Sequence, residues 1–195
     1  MGLLAVISFA IIAVAVVPAQ AQQEAGADSE QKAGSYWSMV LQGGLLVPLS
    51  DFKALNQQSL AGGLRVGWTS KYGLGLDIAS EYSPLSRRST VVGQSLEIPF
   101  VTAALMPRLT LGRNAMRLWL SAGGGVAYER TSVRSGMEIL STDNKYALCS
   151  IGAAGLEFQP ISGLGLAVVG TYNRTRGNFT YEFVNVTGGL SFTFR

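Results

Sequence analysis

At 195 residues the chain has room for one domain, and 15 Lys and Arg against 12 Asp and Glu leave a charge of +3, too small to mark a nucleic-acid binder. Charged residues are 14% of the chain and mean hydropathy is +0.27, which excludes disorder, yet 24 glycines interrupt the apolar runs too often for a bundle of membrane helices. Cys149 is the single cysteine and histidine is absent, which rules out an internal disulfide, a cysteine metal cluster, a catalytic Ser-His pair and a histidine-ligated metal.

The one uninterrupted apolar stretch runs from Leu3 to Val17, followed by Pro18 and the small-x-small sequence Ala19-Gln20-Ala21. Its length fits the apolar region of a signal peptide better than a spanning helix, so residues 1–21 are expected to be an export signal cut before Gln22. Export without paired cysteines fits a Gram-negative envelope better than a eukaryotic secreted domain. Residues 22–33 are polar and small and are expected to be a periplasmic lead-in to the barrel domain expected over 34–195.

Strict alternation of apolar and polar residues then predicts eight strands: Tyr36–Val47, Gly62–Thr69, Tyr72–Tyr82, Leu96–Leu111, Met116–Arg130, Lys145–Phe158, Leu164–Arg174 and Phe179–Phe194. Breaks at 70–71, 112–115 and 159–163 read as tight turns; those over 50–61, 83–95, 131–144 and 175–178 read as mostly longer, more polar loops. Short turns at one end and long loops at the other is the build of an up-and-down transmembrane barrel.

The first strand puts Trp37, Met39, Leu41, Leu45 and Val47 on one face and Ser38, Gln42 and Gly44 on the other. In the third, Tyr72, Leu74, Leu76, Ile78, Ser80 and Tyr82 share a face opposite Gly73, Gly75, Asp77, Ala79 and Glu81. Ten residues between the tyrosines span about 33 Å of strand, or about 25 Å of height at a tilt near 40°, close to the spacing of two aromatic girdles. In the fourth strand Leu96, Ile98 and Phe100 alternate with Glu97, which is expected inside; the pattern slips after Thr102, Pro99 and Pro107 lie within it, and a bulge is one way to restore the register, which the sequence leaves open. The fifth sets Leu118 and Leu120 against Arg117, Trp119 and Glu129, the sixth Tyr146 and Leu156 against Lys145, Cys149 and Glu157, and the seventh Leu166 and Val168 against Thr171 and Asn173.

An isolated carboxylate facing hydrocarbon is expensive, so the charged face is expected to be the lumen. A soluble ligand-binding barrel has the opposite polarity. The inward set Arg65, Asp77, Glu81, Glu97, Arg117, Glu129, Lys145 and Glu157 is then a packed network of ion pairs, structural or gating, in which Arg65 and Arg117 reach carboxylates across the lumen. A second constellation, Arg87, Arg88, Arg130, Arg134, Arg174 and Arg176, gathers near the loop-end rim, where guanidiniums suit the phosphates of lipopolysaccharide. The runs at 123–125 and 163–165 lie in or at the start of strands and lack the strand-to-helix setting of a phosphate cradle.

The last strand ends Thr187-Gly-Gly189-Leu-Ser-Phe192-Thr-Phe194 before Arg195. Thr187, Gly189 and the alternating Phe192 and Phe194 resemble the C-terminal insertion signal of small bacterial outer-membrane β-barrels of the OmpA-like or porin family. Pro48-Leu49-Ser50-Asp51-Phe52 and Leu96-Glu97-Ile98-Pro99 are likewise similar to segments of that family, from which a chain ending in Arg195 departs. The resemblance implies an all-β, eight-stranded antiparallel transmembrane barrel in the outer membrane, with lipid, lipopolysaccharide and the barrel insertion machinery as partners, and no cofactor. It implies a non-enzymatic structural or interaction role. The alternatives are a porin-like channel for small solutes or ions, and a soluble secreted barrel holding a hydrophobic ligand.

Overall fold

In the computed structural model the structure describes residues 34–49, 58–87, 94–112, 115–135, 138–177 and 180–194, with side chains described for all of these but 85–87, 94–97, 134–135 and 138. The expected signal peptide and lead-in lie outside the described residues. Eight strands follow in order: β1 Tyr36–Pro48, β2 Ser59–Thr69, β3 Leu74–Arg87, β4 Gln94–Leu111, β5 Met116–Ser135, β6 Glu138–Ile161, β7 Leu164–Gly177 and β8 Glu182–Phe194. Each pairs antiparallel with the next, and β1 pairs with β8, closing the barrel. All eight expected strands are present.

Alternation does the sorting. Trp37, Leu41, Leu45, Leu64, Leu76, Ile78, Leu105, Leu120, Val168 and Leu190 are exposed on the outer wall, while Asp77, Arg65, Glu157, Asn173 and Asn185 are buried inside. Tyr72 and Tyr82 both lie on the outside, with Ile78 between them. The tight turn after β2 is set by Gly73 at φ +83°, a left-handed conformation that favours glycine.

Three departures from the sequence reading have physical causes. The first is β4, which contains no bulge. From Ile98 to Thr110 every even-numbered residue is buried: Ile98, Phe100, Thr102, Ala104, Met106, Arg108 and Thr110. Ile98 and Phe100, expected outside, are therefore inside. The register with β5 stays constant, but the ladder skips Ile98–Pro99 and Met106–Pro107. Proline has no N–H to give, so it costs ladder bonds locally without shifting the pairing. The Glu97 side chain lies outside the described residues.

The second departure is at the loop end. Residues 131–144 were expected to be a loop, but β5 and β6 continue as paired strands as far as Ser135 opposite Glu138. The run carries Thr131, Val133, Ile139 and Thr142, and β-branched residues favour extended backbone. Third, the interior is not polar throughout. Leu46, Ile98, Phe100, Phe183, Ala127 and Ile151 form one apolar cluster inside the loop-end part of the barrel, against which Tyr181 packs.

Candidate functional site: the packed lumen

The lumen is filled in layers. Nearest the tight turns, the Arg117 guanidinium sits 4.4 Å from the Tyr36 ring centroid and donates to Thr193 Oγ1 at 3.3 Å. Gln159 Nε2 also donates to Thr193 Oγ1.

The next layer holds the main ion network. Arg108 on β4 reaches Asp77 Oδ1 at 3.2 Å and Glu157 Oε1 at 3.0 Å, and donates to Ser38 Oγ at 3.2 Å and Thr110 Oγ1 at 3.1 Å. Arg65 on β2 reaches Asp77 Oδ2 at 3.1 Å and Ser121 Oγ at 3.2 Å. Both guanidinium carbons lie 4.7 Å from the centroid of the Trp119 ring, which is itself fully buried. The network thus ties β1, β2, β3, β4, β5 and β6 together. Charges buried this deeply persist only when paired and hydrogen-bonded, and here the Trp119 π face adds a cation–π contact to each cation.

Above the network, Glu81 accepts from Gln42 Nε2 at 3.4 Å, from Asn173 Nδ2 at 3.5 Å and from Asn185 Nδ2. Glu129 lies further toward the loops, buried, and accepts from Thr131 Oγ1 at 2.8 Å. The apolar layer closes this end, where Phe100 and Phe183 meet edge to face at 5.3 Å between centroids.

Seven of the eight expected lumen residues have described side chains, Glu97 being the exception. Arg65, Asp77, Glu81, Arg117, Glu129 and Glu157 are all buried inside, although the partner of Arg65 is on the adjacent strand rather than across the lumen. The described contacts of Arg117 are a ring and a hydroxyl. Lys145 shares the face of its buried ladder partner Glu129 but stands at the rim, part exposed, 3.2 Å from the exposed Asp143. Arg108, the hub, was missed. Carrying the alternation through β4 in even steps from Thr102 would have found it, leaving Leu105, Leu109 and Leu111 outside.

At the loop end, Arg130 and Arg176 are exposed and Arg174 is half-buried, 3.1 Å from Glu182. The side chains of Arg87, Arg88 and Arg134 lie outside the described residues. On β8, Thr187 is buried inside and Phe194 is exposed on the outer wall, with Phe192 half-buried on the same side. Gly189 has a steric reason: a Cβ there would fall on the Leu41 carbonyl oxygen of β1, and one at Gly44 of β1 would fall on the Val186 carbonyl oxygen of β8.

An apolar outer wall, a charged and closed interior, eight antiparallel strands and short turns at one end define an eight-stranded β-barrel of the bacterial outer-membrane type. The chain is similar to a major outer membrane protein from Thermus thermophilus, at 11% identity and TM-score 0.61 over 83% of this chain and all (100%) of that one. It is similar to Neisserial surface protein A, at 11% identity and TM-score 0.57 over 83% and 99% of the two chains. It is also similar to Ail, the attachment invasion locus protein of Yersinia pestis, solved with the heparin analogue sucrose octasulfate, at 11% identity and TM-score 0.55 over 82% and 97%. No protein-family model and no curated protein matches the sequence.

Proposed function

We propose that the chain is a non-conducting, non-enzymatic barrel of a bacterial outer membrane, exported on a signal peptide over 1–21, inserted by the barrel machinery through its last strand, and presenting its loop end outside the cell. The observation that carries this reading is the filled lumen: a buried ion layer around Trp119, and an apolar layer of Leu46, Phe100 and Phe183 beyond it. Side chains fill a barrel of eight strands, leaving no aqueous path. The absence of histidine in the chain supports a non-enzymatic role. Planar-bilayer recording of the refolded protein is expected to give no steady conductance. A steady, ohmic conductance would replace this reading with the porin-like one.

The finer part of the proposal is that the rim arginines contact lipopolysaccharide phosphate. Arg130 and Arg176 are exposed and carry no described partner, and guanidinium pairs well with phosphate. Ail, whose fold is similar, was solved with the heparin analogue sucrose octasulfate, and an anionic ligand is the kind that exposed guanidiniums on this chain would take. Replacing Arg87, Arg88, Arg130, Arg134, Arg174 and Arg176 by glutamine is expected to lower lipopolysaccharide affinity. Unchanged affinity disposes of the contact and leaves the closed-barrel reading in place.

A further inference from the structure

We propose that the turn end of the lumen is a binding site for a phosphate group, built on Arg117, Tyr36 and Thr193. Arg117 is the buried cation that the ion network does not use. In the adjoining layer Arg65 and Arg108 are matched by Asp77 and Glu157. Glu157 is the ladder partner of Arg117, but its Oε1 accepts from Arg108 at 3.0 Å and its Oε2 from Ser191 Oγ at 3.3 Å. Arg117 is 7% exposed, and its one acceptor among the described residues is a neutral hydroxyl, Thr193 Oγ1 at 3.3 Å. A guanidinium buried this far is costly without an anion beside it.

A second, independent observation is a set of hydroxyls with protons to give. The Tyr36 ring lies against the guanidinium, 4.4 Å from its carbon to the ring centroid, and Tyr36 Oη is buried with no hydrogen-bond partner in the protein. Thr69, the ladder partner of Tyr36, has a buried Oγ1 in the same condition, and the partner of Thr69 on β3 is Gly75, which sends no side chain over it. Thr193 Oγ1 accepts from both Arg117 and Gln159, which leaves its own proton to donate. Buried polar atoms are rarely left unpaired, and a hydroxyl needs only to rotate its O–H to serve an acceptor.

A planar guanidinium fork with hydroxyl donors around it suits an anion that carries several acceptor oxygens, and phosphate takes charge-assisted bonds from arginine at two of them at once. The floor of the site, Arg117 and Thr69, is buried, while Tyr36, Gln159 and Thr193 are half-buried, so the opening is toward the tight turns. On the orientation proposed above, that end faces the periplasm, and the phosphate comes from a phospholipid headgroup or from free phosphate. The site itself does not depend on that orientation.

The test uses the whole refolded barrel in an uncharged, phosphorus-free detergent, with inorganic phosphate as the probe. The folded barrel is expected to broaden the phosphorus-31 resonance of phosphate saturably, and the heat-unfolded chain is not. Arg117→Gln is expected to abolish the broadening, and Tyr36→Phe, which removes one oxygen, to weaken binding about tenfold. Replacing the six rim arginines by glutamine is expected to leave it unchanged, which separates this site from the proposed lipopolysaccharide contact. Short-chain phosphatidylglycerol that displaces the probe better than glycerol phosphate does identifies a lipid headgroup as the source; equal displacement identifies free phosphate, and either keeps the site. Where Arg117→Gln does not fold, Tyr36→Phe decides. No saturable broadening by the wild-type barrel, binding that survives Arg117→Gln or is unmoved by Tyr36→Phe, or binding lost with the rim arginines would each overturn the assignment.

Discussion

Arg117 and Glu157 are direct partners in the β5–β6 ladder, yet the Glu157 carboxylate turns to Arg108 on β4 at 3.0 Å. Arg117 instead covers the Tyr36 ring on β1. The same choice recurs at the next ionisable ladder pair: Glu129 faces Lys145, but Lys145 bonds Asp143. Nearest neighbours in the sheet therefore do not dictate the pairing. Inside a closed barrel, side chains from distant strands converge on the axis, and Arg108 collects two carboxylates there while remaining fully buried.

That position makes Arg108 the most sensitive charge in the lumen. Arg108→Met leaves Asp77 with one cation and Glu157 with none of its described ones, and is expected to lower stability by about 3–5 kcal/mol. Adding Glu157→Gln to the same chain is expected to recover part of the loss. Urea unfolding of the four members of the cycle in detergent or liposomes measures the coupling. Additive effects would show that the pair does not act as one.

Trp119 is locked in place by close packing as well as by cations. A Cβ added at Gly155, its ladder partner on β6, would fall on the indole ring. The ring has Arg65 and Arg108 against it and cannot move aside easily. Gly155→Val is expected to prevent formation of the heat-modifiable folded band, and Gly155→Val with Trp119→Ala to restore some of it.

On the outer wall the cost of a charge should follow height. Ile78 stands midway between Tyr72 and Tyr82 and is exposed. In a bilayer, Ile78→Arg is expected to cost about 2–4 kcal/mol and Tyr82→Arg about 0–1 kcal/mol, measured by unfolding from lipid vesicles. Equal costs would mean that no hydrocarbon surrounds this wall.

If the proposed seal has two lumen layers, each is expected to close the barrel without the other. Phe183→Ala removes one ring of the Phe100–Phe183 pair and is expected to cost about 3–5 kcal/mol. It is not expected to create conductance, because the Arg108–Asp77–Glu157 layer remains. Channel activity in Phe183→Ala alone would show that the apolar layer is the only seal.

Strand number, the outer wall and most of the buried charges were legible because alternation is local: each residue's side follows from its neighbours' sides. That logic holds wherever outside means apolar and inside means polar. It failed in β4, where Ile98 and Phe100 enter an apolar part of the lumen and Pro99 imitates a break in the strand. The misread parity hid Arg108. The partners of Arg65, Arg117 and Lys145 were not legible, since alternation gives only a residue's side: Arg65 takes Asp77 on the neighbouring strand, Arg117 reaches Tyr36 on β1, and Lys145 turns to Asp143 two residues along its own strand. The extended β5–β6 hairpin was missed because polar residues above the rim alternate in no visible way.

Two glycines of the β1–β8 join give the closing step its own vulnerability. Gly44 and Gly189 sit on opposite strands of that join, each lying flush against the other strand's backbone. A single methyl at either would wedge the cylinder open along one line while leaving its other seven contacts between strands intact. A chain altered there would stall as a curled, unzipped sheet, with all its strands made and its two ends held apart.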